Sequence, residues 1–471
     1  MKPDFDIVGR MPYLCATDMY SFAKYKEQYR QNLRLALPVV AAQLGQILVQ
    51  LADNIMVGQY GGDNPLPLAS VSFGISCSFL FFITGLGIVL GLTPLAGELF
   101  AQGEDRRAAS CLKHAIVLYS LLGLAITALQ FAFVPAMYRM GQPAEVVEAS
   151  IPYYRLLALS MLPVMLFGAY KQFLEGIGNT TVPMIVIVGG NLLNVLLNWV
   201  FIFGHCGSPE MGVTGAGLAT LVSRIVMPLV IIAWFRLRSD FRHYLSFFAD
   251  IRYTAREFMQ LLKMGFPIAA QMFLESSAFV ITGIMTGWFD TVAIGSNQIA
   301  ITVGNCAFMV VCAIGAAATI RVSHCYGRRD ADELSLAAKA SLHIVIVWNA
   351  LVALSMIVFR SMLPHIFTTN AEIIALTSVM LLYVAAYQIF DGIQCVAIGI
   401  MRGIQDVKII PFISFLAYIV LNLPAGYLCG FTLGIGPQGL YIGYIFGLGT
   451  SALLLTMRIR RKIKAMKSGS F

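Results

Sequence analysis

The sequence predicts an all-α polytopic membrane protein with about twelve spanning helices in two related six-helix lobes. Three observations predict it: the composition, the recurrence of long apolar runs, and an internal duplication. Of 471 residues, 58% are hydrophobic and only 12% charged, and the mean hydropathy is +0.77, which is too apolar for a water-soluble domain. Runs of about 20 apolar residues, the helical length that crosses a hydrocarbon core, recur along the whole chain, so the membrane is the environment of the fold and not a point of anchorage. A β-barrel would show alternating segments of about ten residues, and these runs are continuous.

In chain order the spans are expected at roughly 34–57, 70–92, 113–135, 151–172, 182–204 and 212–235, then 262–284, 293–318, 337–360, 374–400, 409–430 and 437–457. The first thirty residues carry Asp4, Asp6, Arg10, Asp18, Lys24 and Lys26 but no apolar stretch of signal-peptide length, so 1–33 is read as an uncleaved cytoplasmic segment. The N-lobe then covers 34–235, a linker 236–261, the C-lobe 262–457 and a basic tail 458–471. The formal net charge is +8, and its basic residues alternate between connections: Arg106, Arg107, Lys113, Lys171, Arg321, Arg328, Arg329, Arg402 and Lys408 are read as lying on one side. The linker (Arg236, Arg238, Arg242, Arg252, Arg256) and the tail from Arg458 to Lys467 join them, which places both termini in the cytoplasm. Opposite connections such as Gly61 to Pro67 and Gly204 to Met211 carry almost no Lys or Arg, with Arg139 and Arg360 the exceptions. Topology and anionic headgroups account for the basic tail, and no nucleic-acid partner is expected. Nine scattered cysteines and six unclustered histidines show no metal-ligand spacing; the thiols are read as inert and buried.

The halves resemble each other. Pro38 matches Pro267, each followed by AAQ (Ala41 to Gln43, Ala269 to Gln271), and Gly58 matches Gly287. AQGEDRRA from Ala101 pairs with CYGRRDAD from Cys325, superposing Gly103 on Gly327. LEGIGNTTVP from Leu174 pairs with MRGIQDVKIIP from Met401 and sets Asn194 opposite Asn422; GVTGAGLA at Gly212 pairs with GIGPQGLY at Gly434. Six spans per repeat and a cytoplasmic linker make the repeats parallel, and transporters build their sites between such halves.

Carboxylates at the centre of a membrane helix cost about 3 kcal/mol or more, so they pair, bind an ion or line water. Asp53, Glu275 and Asp391 are such residues, and none has a Lys or Arg close by in its own helix. In the repeat alignment Glu275 falls opposite Gln46 and Asp53 opposite Thr282, so the acids hold non-equivalent places. Gln46 and Asp53 share a helix face two turns apart; Gln388, Asp391 and Gln394 form a stripe, and Asn194 and Asn198 another. These groups can simply join helices by hydrogen bonds. Alternatively, a carboxylate held out of water can trade a proton or sodium ion for a cationic substrate, which is antiport. The 22 methionines and 11% aromatics suit loose cation binding and lipid contact equally.

The motifs LPVVAAQL and DNIMVG in span 1, LEGIGNTTVPM with NLLNVLLNWVFIFG, GVTGAGLAT from Gly212 and MRGIQD from Met401 resemble the multidrug and toxic compound extrusion family, in its NorM-like branch, over about Gln31 to Lys464. The resemblance implies two six-helix lobes around a central cavity in a bacterial inner membrane. It implies export of cationic amphiphilic drugs or dyes against Na+ or H+, without a cofactor, by a monomer. It places the coupling-ion site on Glu275, Gln298 and Asp391 and the N-lobe site on Asp53 with Asn194 as its neighbour; the polar helix faces add Gln46 and Asn198 to the N-lobe site and Gln388 and Gln394, with Phe308, to the expected substrate cavity. One related branch has an aspartate where Asn198 stands, and the NorM-like branch often has a tyrosine near Phe308; the missing hydroxyl weakens a sodium site relative to a proton site. A lipid-linked oligosaccharide flippase of the same superfamily is the alternative, but its cavity would be basic where these membrane-depth charges are acidic. No HExxH, GxSxG or phosphate-cradling loop marks an enzyme.

Overall fold

Without water to satisfy backbone groups, a chain this apolar must close its hydrogen bonds within each segment, and it does so as helices. The computed structural model describes residues 11–62 and 64–469, with side chains described from Tyr25 onward apart from residue 63. Among the described residues, twelve helical segments are long and apolar enough to cross a membrane. In the N-lobe they are α1 (Tyr25–Gly61), α2 (Leu66–Ala101), α3 (Asp105–Met137), α4 (Ala144–Gly176), α5 (Thr181–Phe203) and α6 (Gly212–Leu237). In the C-lobe they are α7 (Ala255–Thr286), α8 (Thr291–Gly327), α9 (Ala331–Val358), α10 (Ala371–Gly403), α11 (Ile410–Thr432) and α12 (Gly439–Lys467). Lipid-type surface is evident in the exposed Leu48, Leu192, Leu196, Leu229, Val347 and Leu351, which a water-soluble fold would bury.

Every expected span is present, but the helices outrun the apolar runs. Six of the nine basic residues read as connections are therefore helical: Arg106, Arg107 and Lys113 in α3, Lys171 in α4, Arg321 in α8 and Arg402 in the last turn of α10. Likewise α12 continues through the basic tail to Lys467, so the chain does not leave the helix at residue 458. Asp4, Asp6 and Arg10 lie outside the described residues, and the side chains of Asp18, Lys24 and Cys15 outside the described side chains. Of the other thiols, Cys206 and Cys306 are exposed rather than buried.

Turn geometry fixes the register of the duplication. After α4, Gly178 N–H bonds Glu175 O at 2.9 Å and Asn179 N–H bonds Leu174 O at 2.8 Å; after α10, Gln405 N–H bonds Arg402 O and Asp406 N–H bonds Met401 O, both at 3.0 Å. The LEGIGN and MRGIQD segments thus match residue for residue. After α2, Gly103 N–H bonds Phe100 O and Glu104 N–H bonds Leu99 O, while after α8 Arg329 N–H bonds Tyr326 O and Asp330 N–H bonds Cys325 O. Gly103 therefore corresponds to Arg329, both at positive φ, and Gly327 to Ala101; the superposition of Gly103 on Gly327 is two residues out. The pairing of Gly212 with Gly434 is also two residues out. Gly215 backs onto Phe201 O as Gly439 backs onto Cys429 O, which sets Gly212 opposite Gly436, both again at positive φ.

The lobes meet along α2 with α7 and α1 with α8. Contact is closest where side chains vanish: a Cβ on Gly91 would lie 2.7 Å from Gly265 N. All of the side-chain hydrogen bonds described between the lobes lie on the linker side. Gln405 Nε2 donates to Glu98 Oε2 (2.5 Å), Arg321 to Gln28 Oε1 (2.6 Å) and Asn32 Nδ2 to Ser341 Oγ (2.9 Å). His324 Nε2 meets Gly176 O (2.7 Å) and Tyr29 Oη meets His343 Nδ1 (3.0 Å). The linker, which includes a short helix Ser239–Ser246, is fastened to α3: Lys113 Nζ donates to Phe248 O at 2.6 Å and Ile251 O at 2.8 Å, and Thr254 N–H donates to His114 Nε2 at 3.0 Å. Burial first, and then Asp105, push the Tyr244 phenol above its usual range, keeping it a donor to Asp105 Oδ1 at 3.2 Å.

Candidate functional site

The C-lobe gathers its polar residues from four helices, α7, α10, α11 and α12. Glu275, midway along α7, accepts a hydrogen bond from Gln271 Nε2 one turn earlier at 2.5 Å. Gln271 Oε1 in turn accepts from Arg402 Nη2 at 2.9 Å, so a guanidinium from α10 reaches the acid through one amide. The Tyr418 hydroxyl on α11 also faces Glu275 and accepts from Gln394 Nε2 at 2.6 Å. Tyr418 stands in a π-helical stretch, Phe415–Asn422, just before Pro424. Pro424 has no N–H to offer the carbonyl four residues back, so the regular ladder is interrupted there. Asp391 is 5% exposed and within charge–charge range of Glu275, ringed by Tyr387, Tyr418 and Tyr444.

The stripe of Gln388, Asp391 and Gln394 is buried as a unit. Asn349 Nδ2 donates to the Gln388 backbone carbonyl at 2.7 Å, while the side-chain Nε2 of Gln388 and Oε1 of Gln394 are buried without a partner among the described residues. Gln298 is not in this cluster: its side chain is exposed, and no hydrogen bond to either acid is described. The buried amide of α8 is instead Asn297, which accepts from Tyr441 Oη at 2.8 Å. Phe308 is half-buried against the main core.

The N-lobe brings Asp53, Asn194 and Asn198 together. Asn198 Nδ2 donates to Asp53 Oδ1, and Asn194, in the amide orientation that satisfies both its ends, donates to the same oxygen at 3.0 Å. Gln46 shares the helix but is exposed, with no described bond to Asp53. Sequence reasoning missed Arg224. This residue of α6 lies within charge–charge range of Asp53, donates to Ser160 Oγ at 2.7 Å and stacks 5.4 Å from the Phe82 ring centre. Its signal was visible, since Arg224 sits mid-span. Arg402 gave a weaker signal, being at a helix end, and Tyr418 gave none.

Each lobe therefore sets a carboxylate against amides and one arginine from a different helix. The C-lobe adds a second carboxylate, so the cluster of Glu275, Asp391 and Arg402 carries one uncompensated negative charge when its acids are ionised. Such a cluster can bind and release a single monovalent cation without breaking covalent bonds.

Known proteins resemble this chain over nearly its whole length. The MatE family model matches twice, at residues 38–200 and 267–428, once in each lobe. The multidrug resistance protein NorM of Photobacterium profundum is 30% identical over 440 residues, covering 93% of this chain and 96% of its own. NorM of Vibrio cholerae is 29% identical with the same coverage, and the multidrug resistance protein MdtK of Cronobacter sakazakii 30%. A transporter of the MOP superfamily from Pyrococcus furiosus shares the fold at a TM-score of 0.85 and 21% identity, over 93% of this chain and 97% of its own. With the family model matching each lobe and relatives at 30% identity spanning both, the chain belongs to the MatE family of membrane transporters, which are not enzymes.

Proposed function

We propose that this chain is a secondary active multidrug exporter that trades organic cations for Na+ or H+ across a bacterial inner membrane, as a monomer with both termini in the cytoplasm. The observation that carries the reading is the pair of carboxyls, Glu275 and Asp391, held within charge–charge range of each other at membrane depth. A site with one uncompensated negative charge favours one cation at a time, and two cations competing for it are thereby exchanged. Glu275 and Asp391 hold the coupling ion, with Gln298 supplying an amide oxygen once α8 shifts against α7 and α10 within the C-lobe; the unpartnered Gln394 Oε1 is a further oxygen in reach of the cluster. Sodium needs several converging oxygens, and a proton needs one.

Asp53 with Asn194 and Asn198 forms the N-lobe substrate and proton site. The exposed amides of Gln46 on α1 and Gln298 on α8 line a water-filled cleft between the lobes, because an unpaired amide facing lipid would be costly. Phe308, Gln388 and Gln394 supply the cavity wall. With the described inter-lobe bonds all on the linker side, the cleft is closed toward the linker, and export requires that latch to open. Across the two sites the three acids Asp53, Glu275 and Asp391 outnumber the two arginines Arg224 and Arg402, where a flippase of pyrophosphate-linked sugars would need an excess of cations, so the cargo is cationic. The test is efflux of ethidium from energised proteoliposomes, with a sodium gradient and a pH gradient imposed separately. One of the two must drive efflux; failure of both refutes antiport.

A further inference from the structure

When both are ionised, Glu275 and Asp391 carry two negative charges, and each uncompensated negative charge tightens the hold on a monovalent cation and slows its release. The structure supplies a third charge that sequence spacing hides. Arg402 extends from the last turn of α10, donates to Gln271 Oε1 at 2.9 Å, and Gln271 passes the contact to Glu275 at 2.5 Å. The guanidinium lies within charge–charge range of Glu275 itself, and its Nε is buried without a partner. A group so placed is not an ordinary surface arginine. The other titratable side chains facing the cluster, Tyr387, Tyr418, Tyr444, Cys312 and Cys395, are neutral donors and leave the charge count unchanged.

The duplication sharpens the point. The turn bonds set Arg402 opposite Glu175, and Glu175 is paired within its own helix by Lys171 at 3.0 Å. The N-lobe counterpart of Arg402 thus has the opposite charge and an internal partner, so the arginine is specific to the lobe with two acids.

We propose that Arg402 is the resident counter-cation of the C-lobe site: acting through Gln271, it cancels one of the two carboxylate charges, limits occupancy to one monovalent cation per cycle, and weakens binding enough for that cation to leave. Arg402 is a positioning residue that need not touch the transported ion. This inference rests on the reading of Glu275 and Asp391 as a cation site, and the experiment separates the two.

Cation binding to purified protein in lipid nanodiscs is measured by calorimetric titration with NaCl against choline chloride, and in sodium-free buffer by indicator-dye proton titration taken as the difference from Glu275→Gln. Removing a positive charge within charge–charge range of the site should tighten cation binding about tenfold or more in a partly screened interior. Arg402→Gln is therefore expected to bind the cation at least tenfold more tightly and to turn over more slowly, lowering KM for the ion and kcat together. Arg402→Lys, which keeps the charge, should stay within about threefold of the parent affinity. Arg402→Gln combined with Asp391→Asn, which brings the net charge back to minus one but also removes an ion ligand, should bind no more tightly than the parent. Loss of packing alone would weaken binding in Arg402→Gln and would not be reversed by a second substitution. An unchanged or weaker affinity in Arg402→Gln, or a double variant that still binds as tightly as Arg402→Gln, overturns the proposal; absence of any cation binding to the parent protein overturns the underlying site instead.

Discussion

Opening of the linker side is the step most exposed to a quantitative test, and Gln405→Asn is the sharpest perturbation. Gln405 Nε2 donates to the Glu98 carboxylate of the opposite lobe at 2.5 Å, and Gln405 holds φ +60°. Asparagine tolerates that left-handed backbone but is one methylene shorter and cannot reach Glu98. Hydrogen bonds to charged groups contribute about 1.5–3 kcal/mol, and the partial exposure of Glu98 argues for the lower end. About 1.5 kcal/mol corresponds to roughly a tenfold change in the ratio of closed to open. The remaining cross-lobe bonds are untouched, so the closed state stays the major one. Ser323, fully buried against Gly97 on the facing lobe, reports on opening. The thiol introduced by Ser323→Cys should react with a maleimide about tenfold faster when Gln405→Asn is added. The rate is read by peptide mass spectrometry in inside-out vesicles so that native cysteines do not interfere. An unchanged labelling rate, with fold and expression intact, would show that the Glu98–Gln405 contact does not hold the lobes together.

Other outcomes follow from the same geometry. Glu275→Gln and Asp391→Asn should each abolish ion-driven efflux while leaving the protein folded, and the double variant should be little worse than either, because groups acting as one site are not additive; full activity in either single variant excludes the shared site. Asp53→Asn keeps the shape of the side chain but discards the charge that Asn194 and Asn198 solvate, so drug efflux should fall several-fold at normal expression, and unaltered efflux would reduce Asp53 to a helix-packing group. A cysteine reporter near Lys467, at the end of α12, should be shielded from an impermeant thiol reagent applied to whole cells; labelling from outside would invert the topology.

Much of this was legible in one dimension because its causes are local. Whether a segment crosses a membrane depends on about 20 consecutive residues, so twelve spans and their helical nature could be read directly, and duplication shows as order preserved between segments. Glu275 and Asp391 were legible for the same reason, since an acid within an apolar run stands out wherever it points. Segment ends were not. Arg402 and Lys171 border apolar runs and read as connections, yet helices extend beyond the hydrophobic stretch because long side chains at their ends can turn back along the helix. Register slipped by two residues at Gly103 and at Gly212, where glycines recur close together and only turn hydrogen bonds distinguish them.

The sequence by itself determined the membrane environment, the helix count, the repeat and the acids that make a cation site conceivable. Tertiary structure alone decided which residues neutralise those acids. Arg224 reaches Asp53 from α6, and Arg402 reaches the Glu275 cluster from α10 through Gln271. These partners are separated by more than a hundred residues, and no periodicity links them. It also decided that Gln298 is exposed while Asn297, its neighbour, is buried. In a membrane helix, polar residues facing a cleft and polar residues facing another helix interrupt the apolar pattern in the same way. Only the packing of the neighbouring helices separates them.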